Sequence, residues 1–75
     1  MDNLNYDAAV AEIIGEAINA APGETKNSVA KKAFIPHSTL ERKLAGGGEW
    51  KVSEIRRIAS VLGVTPASLY PDEVA

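Results

Sequence analysis

The chain reads as all-α: a compact five-helix domain of 75 residues. Three observations lead there. Apolar residues recur three and four positions apart through each longer segment, as on one face of a helix. Strong helix punctuation separates these segments, at Pro22-Gly23, Pro36, Gly46-Gly47-Gly48, Gly63 and Pro71. No stretch alternates apolar with polar residues as a half-buried strand does, and there are no repeats or low-complexity tracts.

A chain of this length makes one domain, residues 1–75, near the lower limit of what a single core supports unaided. It has no cysteine, which excludes disulfides, thiol chemistry and cysteine-ligated zinc and makes a reducing cytoplasmic setting the default. No apolar run approaches the ~20 residues that cross a bilayer. Met1-Asp2-Asn3 also lacks the basic start of a secretory signal, so a soluble protein without membrane contact is expected.

The first helix is expected over about 5–21, capped by Asn3 or Asn5 and stopped by Pro22-Gly23. Its inward stripe is Tyr6, Val10, Ile13 and Ala17, with Ile14, Ile18 and Ala21 beside it; Asp7 suits the positive end of the helix dipole. Gly15 marks either a close helix crossing or a tolerated surface glycine. Thr25 caps a second helix, about 26–34, with Val29, Ala30 and Ala33 inward. Its first amides, with Lys26, Asn27 and Ser28, suit a phosphate.

Pro36 has no N–H and disfavours helix at the residue before it, so the second helix ends near Phe34 or Ile35. A third begins at once. Ser38-Thr39-Leu40-Glu41 fits a capping box, with Pro36 or His37 as the alternative first residue. With Leu40 and Leu44 as its buried pair, a step of ~100° per residue points Ser38 and Arg42 outward, flanked by Thr39, Glu41 and Ala45.

Glycines 46–48 read as a mobile connection; without a preceding strand or a following Lys-Ser or Lys-Thr they are not a phosphate loop. Trp50 and Val52 are expected to re-enter the core, Trp50 as a plug, with stacking on a sugar or base as the alternative. A helix over about 52–62 turns Ile55, Ile58, Ala59 and Leu62 inward and ends at Gly63. Thr65-Pro66 starts a last short helix carrying Leu69 and Tyr70, which either cap the core or form a dimer seam; residues 72–75 are a frayed tail.

The net charge of −2 conceals a segregation. All eight basic residues fall between positions 26 and 57, where only Glu41, Glu49 and Glu54 oppose them, a surplus of five positive charges. Asp2, Asp7, Glu12, Glu16, Glu24, Asp72 and Glu73 make both ends acidic. Two readings stand: an electropositive face aimed at a polyanion, or a chance cluster on a solvated face.

The stretch Thr25 to Tyr70 resembles the lambda-repressor-like, Cro-type helix-turn-helix proteins of bacteriophages and bacteria. The resemblance rests on Ser28-Val29-Ala30, on Ile35-Pro36-His37-Ser38-Thr39-Leu40, on Arg42-Lys43-Leu44 with its following glycine, and on Ile58 to Pro66. The wording IPHSTLERKL looks most like small actinobacteriophage regulators. Two positions depart from the pattern: Phe34 stands where the motif has its turn glycine, and Lys43 where it has an apolar residue, that role passing to Leu44. Phe34 is expected instead to pack on Trp50 or on the first helix.

The resemblance implies a lambda-repressor-like fold with the motif over about 25–45. It makes 37–45 the recognition helix, entering the major groove of a double-stranded DNA operator. Base contacts would come from His37, Ser38, Thr39, Glu41 and Arg42, the arginine fork matching guanine O6 and N7. Phosphate contacts would come from Lys26, Asn27, Ser28, Lys43 and Lys51. The implied protein is a transcriptional repressor in a bacterial host cytoplasm, acting as a homodimer on inverted half-sites, with no cofactor, metal or small-molecule substrate. A recombination directionality factor, or a helix-turn-helix-shaped protein-interaction module that does not bind DNA, would share these features. An enzyme is not expected, since one histidine and no cysteine offer no nucleophile–base pair or ligand set.

Overall fold

The computed structural model describes residues 6–71. It comprises four α-helices, α1 (Tyr6–Ala20), α2 (Lys26–Lys32), α3 (His37–Leu44) and α4 (Val52–Leu62), followed by a 3-10 helix, Pro66–Leu69; the described residues contain no strand. The all-α class holds, and the fifth helix is the tighter 3-10 form. Held to four residues, this last element closes through three-residue bonds such as Ser68 N–H to the Thr65 carbonyl at 3.0 Å. The expected caps Asn3 and Asn5 and the frayed tail 72–75 lie outside the described residues.

Every element contributes to one core. Val10, Ile14 and Ile18 of α1 meet Val29 and Ala30 of α2, Leu40 of α3, Ile55 and Ile58 of α4 and Leu69, with Trp50 closing one side. The buried stripe of α1 is centred on Val10, Ala11, Ile14 and Ile18, so Ile13 and Ala17 are only half-buried and Tyr6 is exposed. Tyr6 stacks on the half-buried Tyr70, ring centroids 6.5 Å apart, which fastens the start of α1 to the last turn. Val52 is 61% exposed and does not return to the core: as the first residue of α4 it faces solvent, and Ile55 one turn later makes the contact. A Cβ built on Gly15 meets nothing within 4 Å, so this glycine is tolerated in open space and marks no close crossing.

Three helices end in the same hydrogen-bonded motif. Ile35 N–H donates to the Ala30 carbonyl at 2.9 Å, Gly47 N–H to that of Arg42 at 2.9 Å and Val64 N–H to that of Ala59 at 3.0 Å. Each six-residue closure needs a left-handed residue just before its donor. Gly46 and Gly63 supply it at φ 96° and 73°, and Phe34 supplies it at 59°. The glycine stretch expected to be a mobile connection is therefore a bonded helix end that turns the chain from α3 toward α4.

Candidate nucleic-acid interface

α2 and α3 pack against each other across Pro36, and α1 supports α3 from behind. α3 starts at His37 with Pro36 as its cap residue, so the Ser38–Glu41 capping box is not formed and the alternative boundary is the observed one. Pro36 needs no N–H at this position, and its carbonyl accepts from Leu40 N–H at 2.9 Å. The hydroxyl of Ser38 is thereby left on the outer face.

Burial of Leu40 sets the rotation of α3. His37, Ser38, Glu41 and Arg42 are exposed and Thr39 is half-buried, so the expected base readers share one side of the helix, from its first residue to its last turn. His37 Nε2 lies 3.8 Å from Glu41 Oε2, one turn apart. Arg42 Nε donates to the Gly47 carbonyl at 3.3 Å.

The expected phosphate residues divide. Lys26, Asn27 and Lys51 are exposed. Ser28 is corrected, because its hydroxyl is spent inside α2: it accepts from Thr25 N–H at 2.9 Å and donates to Glu24 Oε1 at 2.6 Å, while Thr25 Oγ1 accepts from Ser28 N–H at 3.1 Å. Glu24 thus places a carboxylate at the start of α2, where a phosphate was expected. Its pKa is lowered by the hydrogen bonds from Ser28 and Lys32.

Lys43 is corrected more fully. It is 6% exposed and its Nζ lies 2.7 Å from both carboxylate oxygens of Glu54, itself 8% exposed, so its ammonium is turned inward where no phosphate reaches. The ammonium also lies 6.0 Å from the Trp50 ring centroid. The expectation treated a lysine as a surface residue by default. Its position three residues after Leu40 puts it on the core side of α3, and Leu44 is only half-buried beside it. Phe34 is corrected too: it packs on neither Trp50 nor α1 but stands 81% exposed at the corner.

Glu54 and Gly47 were not singled out from sequence. Glu54 accepts Lys51 N–H at 2.9 Å as the third residue of α4, a placement legible as Lys51-x-x-Glu54 ahead of the apolar face. Nothing in the one-dimensional pattern marked Gly47 apart from its two neighbours. Of the eight basic residues, Lys32 is paired with Glu24 at 2.9 Å and Lys43 with Glu54, while Arg57 Nε donates to the Ala33 carbonyl at 2.8 Å. Lys26, Lys31, Lys51 and Arg56 are exposed alongside Arg42.

A search of curated proteins gives no match. A family model described as the BetR domain matches residues 7–75, nearly the whole chain. This is a helical domain of the DNA-binding, helix-turn-helix kind and points to a DNA-binding regulatory role. No helix among the described residues is long and apolar enough to cross a membrane. With the corner between α2 and α3 and the outward polar face of α3 inside the matched span, the chain belongs to the BetR domain family.

Proposed function

We propose that this domain is a sequence-specific transcriptional regulator that docks α3 in the major groove of double-stranded DNA and represses by occupying the promoter. The observation that carries the reading is the two-sided character of α3. Leu40 and Lys43 hold one side in the protein, and His37, Ser38, Glu41 and Arg42 stand exposed on the other. Arg42 offers the fork that matches guanine, Ser38 and Thr39 donate or accept, and Glu41 accepts from the cytosine amino group. Lys26, Asn27 and Lys51 are the phosphate residues in this arrangement, and they set affinity rather than sequence preference. It is a binding module rather than an enzyme, with no cofactor in its action.

The finer assignment to a Cro-like bacteriophage repressor, a homodimer in the cytoplasm of a bacterial host, rests on the sequence resemblance; the BetR match does not extend to it. Capture of Lys32 and Lys43 by carboxylates favours one rival, a protein-interaction module, because it thins the positive face.

Titration onto duplexes selected from random DNA separates these readings. Binding is expected to weaken linearly on a log–log plot against salt. Arg42→Ala should cost about 1–3 kcal/mol on the selected site and relax one base preference, whereas Lys26→Ala should weaken all duplexes alike and lower the salt slope by about 1. A homodimer predicts half-sites about one helical turn apart. Failure to bind any duplex at low salt would remove the DNA reading and leave the interaction module. Loss of excision with unaltered promoter output in a reporter strain would instead identify a directionality factor.

A further inference from the structure

We propose that Gly47 is a positioning residue for base reading: its carbonyl holds the Arg42 guanidinium by Nε, so that Arg42 meets a guanine through its two terminal nitrogens. The inference rests on the DNA-reading role given to α3 above.

An arginine can grip a pair of acceptors along either of two edges, the side edge that includes Nε or the end edge formed by the two Nη groups. In this structure the Nε–H of Arg42 donates to the Gly47 carbonyl at 3.3 Å, which removes the side edge. The end edge remains. In the major groove guanine presents O6 and N7, two adjacent acceptors, whereas adenine pairs its N7 with an amino donor. An end-on fork therefore selects guanine.

The carbonyl is held by the same helix that carries the arginine. Gly46 N–H donates to the Lys43 carbonyl at 3.0 Å and Gly47 N–H to the Arg42 carbonyl at 2.9 Å, with Gly46 at φ 96° and Gly48 at φ 127° bending the chain back over α3. Gly46 and Gly48 are thus explained by backbone conformation. Gly47 has no positive φ and is explained by space: a Cβ there would lie 3.1 Å from Arg42 Cγ and 3.1 Å from the Arg42 carbonyl oxygen. The bare Cα lets the stem of Arg42 lie along the loop. An arginine held this way loses less rotamer freedom on binding than an unrestrained one.

The test is a double-mutant cycle on duplexes selected by the wild-type protein. Arg42→Ala should lose preference for one guanine by roughly tenfold or more. Gly47→Ala should lose a large part of the same preference, at that base pair alone and with an unchanged salt slope. In the Arg42→Ala background Gly47→Ala should change nothing further. An equal effect of Gly47→Ala in both backgrounds, or an even loss over all base pairs, would show that Gly47 only shapes the loop and would overturn the proposal while the DNA reading stands. If wild-type protein enriches no sequence, the DNA reading itself falls. A measurement on the free wild-type protein guards against a variant that does not fold. Nuclear magnetic resonance should show the Arg42 Nε–H exchanging with solvent several-fold more slowly than that of the exposed Arg56, and equal rates would sink the inference.

Discussion

Phe34 combines two costs that a sequence seldom accepts together. It occupies a left-handed conformation, φ 59°, that costs a side-chain-bearing residue roughly 1–2 kcal/mol, and its ring is 81% exposed. Its alignment with the motif's turn glycine carried the right backbone information. The side chain was misread because the ring was assigned to a core it does not enter. Exposure offsets little of the strain, so Phe34→Gly should stabilise the domain by on the order of 0.5–1 kcal/mol once the greater unfolded-state freedom of glycine is discounted. The midpoint of urea unfolding measures this. A variant less stable than wild type would show that the ring makes stabilising contacts the structure does not contain.

Between elements, the most consequential interaction is one that residue type obscured. Glu54 accepts Lys43 Nζ at 2.7 Å on both oxygens and Lys51 N–H at 2.9 Å, so one carboxylate caps α4 and ties its start to the end of α3. Burial costs both charges much of their hydration, and the pair persists because each satisfies the other. Glu54→Gln leaves a buried ammonium without its counter-charge and should cost roughly 3–5 kcal/mol. Adding Lys43→Met should recover most of that loss, since glutamine keeps an acceptor for Lys51 N–H and methionine fills the space of the lysine stem. Denaturant unfolding of the singles and the double gives the coupling energy. Additive losses would mean that the two charges do not depend on each other. The helical wheel already held the clue, because at ~100° per residue Lys43 falls only ~60° from Leu40, on the side away from Leu44; polarity alone moved it to the surface.

For the whole molecule, the all-α class and the order of the helices were legible because punctuation and periodicity agree, and α4 matches its expected span residue for residue, whereas α2 stops two residues short at Lys32 and the last element is a 3-10 turn rather than a fifth α-helix. The charge layout was less legible: pairing follows from tertiary contacts, and Glu24, from outside the basic segment, takes Lys32 out of the surplus, while Lys43 and Glu54 cancel each other within it. The same pairs govern how the domain meets acid. Burial pushes the Glu54 carboxyl up, but the hydrogen bonds from Lys43 and Lys51 and the attraction of both lysines outweigh it and leave its pKa below the ordinary 4.5. Unfolding therefore takes up a proton over this range. The contribution of Glu54 is complete above its unfolded pKa and drains away as pH falls through its lower folded value. Thermal unfolding followed from about pH 6 to about pH 3 should show wild-type stability falling below pH 4.5, with a shallower fall in the Lys43→Met/Glu54→Gln double variant, which has no titrating group at this position. The remaining slope should shrink again with Glu24→Gln, whose carboxyl is also lowered. If the double variant loses stability with acid as steeply as wild type, the linkage lies in other carboxylates and the buried pair is not the acid-sensitive joint between α3 and α4.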